Sequence, residues 1–224
     1  MLKDIVSEVP RFDVQLFVVL LANRMATKNY TVRQFLVSWI SFLDSIPEIE
    51  LSTNLPHFLG GLFDFLKDSS KEVSSMTLNV LNYFLKDLKS QEKPKLENIY
   101  KIIDILIPFS TDGNELCRLT SLQWLLDIIL HAKEPVAAIS YTLLPGILAS
   151  VGHSNPEIND IASKVNNQLF SIISEFSKEM EFENIIKVVT LEILHENQQT
   201  RVMALDWLLM LQRKALKKQP LWKK

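Results

Sequence analysis

A single cysteine, Cys117, stands among the 224 residues, so the chain forms no intramolecular disulfide and no thiolate zinc site. Such usage fits a reducing compartment, and the cytosol or the nucleus is the first expectation. Glycine is scarce at five residues. The adjacent pair Gly60-Gly61 follows no strand pattern and precedes no lysine, which excludes a phosphate-binding loop; in a helix it lets backbones approach closely. Long apolar runs are missing too. The longest, Leu16 to Ala22, covers seven residues against the roughly 20 that cross a bilayer. A longer uncharged stretch, Pro135 to Gly152, is broken by Ser140, Thr142, Pro145 and Gly146. No basic segment followed by an apolar stretch opens the chain, so no secretory signal is read there.

Clustered cations are confined to one end. Arg213, Lys214, Lys217, Lys218, Lys223 and Lys224 follow one another with no acid between them, and the rest of the chain holds 18 Lys+Arg against 26 Asp+Glu, a net −8. An acidic body is a poor match for nucleic acid or an anionic membrane surface, both of which demand grouped positive charge. The basic end alone could contact either, but it reads first as a solvated tail. What the sequence does have is apolar mass: 47% hydrophobic residues with 22% charged suffice for a packed core.

That apolar mass is arranged with a helical period, and the arrangement repeats. From Tyr30, the residues Val32, Phe35, Leu36, Trp39, Ile40, Leu43 and Ile46 fall at i, i+3, i+4, i+7, i+8, i+11 and i+14, one face of an amphipathic helix. Two further helices keep the six-residue spacing of Arg33 and Trp39: Arg118 with Trp124, and Arg201 with Trp207. Weaker copies lie between them. Val73, Met76, Val80, Leu81 and Phe84 match the first helix at an offset of 41, and Ile158, Ile161, Val165 and Leu169 match it at 126. Steps of 41, 44, 41 and 42 residues are those of HEAT or armadillo units, about 40–47 residues each. The tryptophan column reads Trp39, Val80, Trp124, Val165, Trp207, and the column three residues earlier reads Leu36, Thr77, Ser121, Ala162, Ala204. Large faces small, as close packing requires.

Partner helices with their own apolar stripes are predicted over Val14 to Met25, Leu55 to Leu66, Ile99 to Phe109, Ile139 to Ala149 and Ile185 to His195. Leu55-Pro56 and Leu144-Pro145 are read near the starts of two of them, where a missing N–H is harmless. The connectors Asp68-Ser69-Ser70, Thr111-Asp112-Gly113-Asn114 and Ser154-Asn155-Pro156-Glu157 carry N-cap and turn chemistry. Nothing alternates with period two. The expected fold is therefore all-α, a right-handed α-solenoid of about five HEAT-type helix pairs. Residues 1–10 are read as the end of a preceding repeat, and 11–212 as one solenoid with repeats at about 11–49, 50–92, 93–134, 135–178 and 179–212. A basic tail over 213–224 follows. The polar stretch Lys86 to Lys95 is read as an inter-repeat loop, and Trp39, Trp124 and Trp207 as structural core.

No catalytic constellation is visible. His57, His131, His153 and His195 are scattered, with no spacing that sets two of them on one helical face for a metal. Cys117 occupies the Val32 column and reads as packing despite its neighbour Arg118. Glu175, Glu179, Glu181 and Glu183 form a solvated acidic turn. The chain is thus expected to be no enzyme and to hold no cofactor or metal. Arg33, Arg118 and Arg201 read as a ladder in which a cation early in each second helix bonds an acid or helix end in the adjoining turn; a charged ridge for a partner is the competing reading.

The stretches MLKDIVSEVPRFDV and YTVRQFLVSWISFLDSIPEIELSTNLPHFLGGLFDFLKDSSKEV carry more than a repeat skeleton. Arg33 to Pro47, then Leu55-Pro56, Gly61-Leu62-Phe63 and Asp68, resemble the vacuole-morphology protein family, the HEAT-repeat scaffold associated with the phosphatidylinositol-3-phosphate 5-kinase PIKfyve. The similarity is strong over about the first 90 residues, thins through the third and fourth repeats and returns at Thr200 to Leu211. The resemblance implies a non-catalytic scaffold holding the lipid kinase and an opposing phosphatase on vacuolar or late endosomal membranes. The protein would be cytoplasmic and only peripherally attached there. It also implies a longer protein, with this chain an internal fragment that lacks the family's acidic insert, and it carries over kinase binding more readily than phosphatase binding. The alternative is a generic HEAT adaptor for transport cargo or tubulin. A cargo adaptor would show exposed aromatics or asparagines along one face, and a tubulin module would carry Trp and Lys/Arg in successive turns. Neither pattern is present. Partner contacts are expected in the turns joining paired helices, at Lys28, Asn29 and Tyr30 with Arg33 flanking, and at Asp68, Ser69, Ser70 and Lys71, with Tyr30 as anchor because aromatic residues dominate hot spots.

Overall fold

A computed structural model describes residues 13–46, 49, 51–90, 95–175 and 182–218. Among them are eleven α-helices and a 3-10 turn, with no strand. The chain divides into two units, Met1–Pro94 and Lys95–Lys224.

The first unit holds α1 (Val14–Arg24), α2 (Tyr30–Asp44), the 3-10 turn Leu51–His57, α3 (Leu59–Leu66) and α4 (Lys71–Ser90). Helix α2 stacks on α4, while α3 lies against α4 and α1 packs on the 3-10 turn. Leu62, Phe63 and Phe65 of α3 are buried with Val73, Leu81 and Phe84 of α4. Gly61 makes the close approach that its sequence neighbourhood suggests, since a Cβ there would lie 2.5 Å from the Met25 Cβ. Leu55-Pro56 falls in the 3-10 turn rather than at the start of an α-helix.

Helix α4 also runs through Lys86 to Ser90, so the part of the expected loop that is described before Lys95 is helical, residues 91–94 lying outside the described residues. With Leu85 buried and no glycine or proline between Lys71 and Ser90, nothing in that stretch breaks the helix. Trp39 departs from expectation as well. It is half-buried, and its recorded aromatic neighbours are Phe17, Phe35 and Phe42 at 5.8, 5.9 and 6.1 Å between ring centroids. Two of these belong to its own helix, so Trp39 sits in a local aromatic cluster and not in an enclosed core.

The second unit holds α5 (Leu96–Phe109), α6 (Glu115–His131), α7 (Lys133–Ala138), α8 (Ser140–Ser150), α9 (Pro156–Glu175), α10 (Phe182–Glu192) and α11 (Gln198–Lys218). Helices α5, α8 and α10 form one row and α6, α9 and α11 a second, with α5 paired to α6, α8 to α9 and α10 to α11. This two-row stack of helix pairs is an all-α solenoid. The inner columns are closed: Trp124, Val165 and Trp207 are fully buried, as are Ser121, Ala162 and Ala204 beside them. The Trp207 indole meets Phe170 edge-on at 5.2 Å, and its Nε1–H donates to Asn166 Oδ1 at 2.9 Å. Cys117 is fully buried.

Pro145 lies inside α8, not near its start. The helix loses one internal N–H bond there, while Gly146 next to it permits an approach to Ser110 that any Cβ would block. The basic stretch also begins as helix, because α11 continues through Lys218. The segment expected to end a preceding repeat, together with Glu179, Glu181, Lys223 and Lys224, lies outside the described residues.

Candidate functional site: the ladder of turns

The connectors that join paired helices share one construction. The residue before each second helix is Asn29, Ser70, Asn114, Asn155 or Asn197, spaced by the same 41, 44, 41 and 42 residues as the helices. Asparagine suits this place because its side-chain oxygen caps the free N–H groups of the first helical turn. Asn29 Oδ1 accepts from Thr31 and Val32 at 2.9 and 3.2 Å, and Asn114 Oδ1 from Cys117 at 3.0 Å. Asn155 Oδ1 takes Glu157 at 2.9 Å, and Asn197 Oδ1 takes Gln199 at 2.7 Å.

Two residues earlier, a second column closes each turn from the other side. The cap residue's own N–H donates to Thr27 Oγ1 at 3.3 Å, to Asp68 Oδ1 and Asp112 Oδ1 at 2.8 Å, and to His153 Nδ1 and His195 Nδ1 at 3.0 Å. His153 and His195, which sequence reading leaves scattered, therefore hold equivalent structural posts. A ring accepting at Nδ1 carries its proton on Nε2. The period that reveals the helices also runs through these two columns, and it is the signal that would have found them.

Bonds between successive turns join the pairs into a ladder. In the first unit Arg33 donates from Nε to Thr27 O at 2.8 Å and from Nη1 to Asp68 Oδ2 at 2.7 Å, its Cζ lying 5.0 Å from the centre of the Phe65 ring. The Arg33 and Asp68 side chains are only 18% and 5% exposed, and Gln34 Nε2 reaches Glu72 Oε1 at 2.8 Å beside them. In the second unit Asn155 Nδ2 donates to Glu115 Oε2 at 2.8 Å, and Asn197 Nδ2 to Gly152 O at 3.0 Å. Gly152 has φ +80, a left-handed conformation that glycine adopts without strain. Thr200 Oγ1 bonds Leu148 O and Val151 O at 2.9 and 3.0 Å.

The residues expected to meet a partner thus divide in two. The structure brings Arg33 and Asp68 together in a partly buried ion pair, and Asn29 is occupied in capping. Ser70, half-buried, donates its N–H to Asp68. Lys28, Tyr30, Ser69 and Lys71 are exposed around that pair, Tyr30 at 60%.

Two open grooves flank the helices. One, of about 430 Å³ between α9 and α11, is lined by Phe170, Met203, Leu209 and Met210 with Arg213 and Lys214 at its edge. The other, of about 420 Å³ at the end of α2, holds Asp44, Tyr83 and Asp87. Burial, and then the nearby Asp87 charge, push the Asp44 carboxyl above its ordinary pKa. No group of three or more His, Cys, Asp or Glu able to hold a metal ion occurs among the described residues.

No protein-family model matches the chain. A VAC14 homolog of Arabidopsis thaliana, however, is 33% identical over 208 residues, covering 93% of this chain and 28% of that protein. This chain is a homologue of the VAC14 proteins. The VAC14 homolog of Schizosaccharomyces pombe is 26% identical over 277 residues, again 93% of this chain and 34% of the relative. That alignment is longer than the chain itself, so the relative carries additional residues within the matched stretch. The vacuole morphology and inheritance protein 14 of Saccharomyces cerevisiae is 38% identical over 86 residues, 38% of this chain and 10% of that protein. The chain therefore spans about a third or less of the VAC14 relatives it matches. Among solved structures, an engineered protein aligns over 88% of this chain and 96% of its own, with 12% identity and a TM-score of 0.37. VAC14 names point to the vacuole, and among the described residues no helix is long and apolar enough to cross a membrane.

Proposed function

We propose that this chain is a non-catalytic scaffold module, a run of HEAT-type helix pairs that binds and helps assemble a lipid kinase and its opposing phosphatase. On the resemblance to the vacuole-morphology family, that kinase would be the phosphatidylinositol-3-phosphate 5-kinase. The complex would control phosphatidylinositol 3,5-bisphosphate on vacuolar and late endosomal membranes, with the chain cytoplasmic and held at the membrane through its protein partners. The observation that carries this reading is the 33% identity to a VAC14 homolog over 93% of the chain. The structure supports it physically: a two-row helix stack presents rigid turns in sequence, and a large partner can follow such an edge. The histidines and acids that chemistry would need at those turns, His153, His195 and Asp112, are instead engaged in closing them.

In the first unit the exposed residues around the Arg33–Asp68 pair, Lys28, Tyr30, Ser69 and Lys71, form the surface proposed to meet the kinase. Its test is affinity capture from a lysate followed by mass spectrometry, with wild type beside a Tyr30→Ala, Lys71→Glu double variant of equal melting temperature. Wild type should recover the lipid kinase and the double variant should lose it. Recovery of tubulin or transport cargo by wild type, without the kinase, overturns the assignment; unchanged recovery by the double variant moves the contact elsewhere.

A further inference from the structure

The five turns between paired helices share one construction but are closed by different acceptors. Thr27 Oγ1, Asp68 Oδ1 and Asp112 Oδ1 take the N–H of the cap residue in the first three, while His153 Nδ1 and His195 Nδ1 take it in the last two, both at 3.0 Å. A hydroxyl or carboxylate oxygen stays an acceptor throughout the neutral range. A ring nitrogen does not, because imidazole ordinarily changes charge between about pH 5 and 8 and in its charged form both nitrogens are donors.

The other two histidines supply the contrast. His131 Nδ1 lies 2.8 Å from Asp127 O; a carbonyl only accepts, so Nδ1 carries the proton there and a second proton enters at Nε2 with the bond intact. His57 stands exposed in the 3-10 turn. At His153 and His195, however, the nitrogen free to take a proton is the one that closes the turn. Each ring is held in place by its own backbone, His153 N–H donating to Ser150 O at 3.3 Å and His195 N–H to Glu192 O at 3.1 Å. Protonation therefore sets Nδ1–H against the N–H of Asn155 or Asn197. Those two asparagines are also the junctions of the ladder, since their Oδ1 atoms cap the following helices and their Nδ2 groups reach back to Glu115 Oε2 and Gly152 O.

We propose that the second unit carries a pH-sensitive edge, in which proton uptake by His153 and His195 opens the turns 153–155 and 195–197 while the turns closed by Thr27, Asp68 and Asp112 stay shut. The turn accepts only the neutral ring, so closure is complete above the range in which imidazole ordinarily charges and is lost as the pH falls through it. The charged residues on the elements that meet at these turns favour proton uptake. Helix α8, which leads into His153, carries none; Glu115 and Arg118 stand in the first turn of α6 and Glu157 in that of α9. Around His195 are Glu192 at the end of α10, Glu196, and Arg201, whose guanidinium is bonded to the His195 and Glu196 carbonyls. Burial pushes the Glu192 carboxyl up and the His195 charge draws it down, so that carboxylate favours the charged ring. This edge does not depend on which partner the first unit meets.

Solvent exchange of the cap N–H groups reads each turn separately, by NMR on the full chain at about pH 7.5 and about pH 5.5, with each rate corrected for its intrinsic pH dependence. On acidification the protection of the Asn155 and Asn197 N–H should fall about tenfold or more relative to that of the Asn114 N–H. The double variant His153→Asp, His195→Asp takes over the acceptor of the second and third turns and should keep its protection at both pH values. His153→Thr with His195→Thr, copied from the first turn, does the same should the added carboxylates disturb the fold. His131→Gln should show the wild-type loss unchanged. Asn155 and Asn197 protection that tracks Asn114 at both pH values overturns the proposal, as does an equal loss in a folded Asp or Thr variant.

Discussion

Trp207→Phe tests how much a single bond between helix pairs contributes to this architecture. The indole is fully buried, and its Nε1–H is bonded to Asn166 Oδ1 at 2.9 Å on the preceding second helix, Asn166 itself being 3% exposed. Phenylalanine keeps an aromatic ring in the pocket and its edge against Phe170, but it leaves the Asn166 oxygen without a donor and without water. A buried acceptor stranded in this way costs about 1–3 kcal/mol. The smaller ring leaves a void worth roughly a further 1 kcal/mol. A total loss of about 2–4 kcal/mol is expected, each kcal/mol lowering the melting point by about 2–4 °C in a chain of this size. Asn166→Leu alone strands the indole N–H instead, whereas Asn166→Leu with Trp207→Phe removes both polar groups, so the double variant should lose about 1–2 kcal/mol less than the sum of the singles. Urea unfolding followed by far-ultraviolet circular dichroism, compared at constant m-value, measures all three. A Trp207→Phe cost below about 0.5 kcal/mol, or strictly additive singles, would refute the reasoning.

Three further outcomes follow from other parts of the structure. Asp68→Asn keeps an oxygen for the Ser70 N–H but removes the charge opposite a largely buried Arg33; chemical denaturation should show a loss of about 1–3 kcal/mol, and an unchanged midpoint would deny the pair its structural role. Gly61→Ala gains roughly 1 kcal/mol of helix propensity yet drives its Cβ into Met25, so a net loss is expected that Met25→Ala partly relieves, while Gly113→Ala, with open space around it, is close to neutral. Asp44→Asn should raise the melting temperature at pH 7, because a carboxyl whose pKa is raised in the folded state penalises folding once ionised. The gain should fade as pH falls through that raised value and vanish below the ordinary 3.8, where both states are protonated; a gain that persists at pH 3 would assign the effect to something other than titration.

The second-helix register, the 41-to-44-residue period and the alternation of large and small columns follow from residue type and spacing alone. A buried face must recur every three to four residues in a helix, and facing surfaces must interdigitate. The cap residues were equally legible in principle, since asparagine or serine before a helix acts on the adjacent N–H groups and needs no distant partner. Tertiary structure decided the rest. Trp39, Trp124 and Trp207 share one column, but only the last two are enclosed, because enclosure depends on what stacks against each helix rather than on the helix's own pattern. Pro145 sits in mid-helix because the α8 backbone is held by its neighbours in the row, which local propensity does not register. Most clearly, three equivalent arginines meet different surroundings: Arg33 an aspartate of the next turn, Arg201 a pair of carbonyls of its own turn, and Arg118 the charge of Asp112 with its buried Nε–H unbonded among the described residues. A hydrogen bond fails over a few tenths of an ångström or a few tens of degrees, and stacking between whole helix pairs, not sequence within one of them, sets distances that fine.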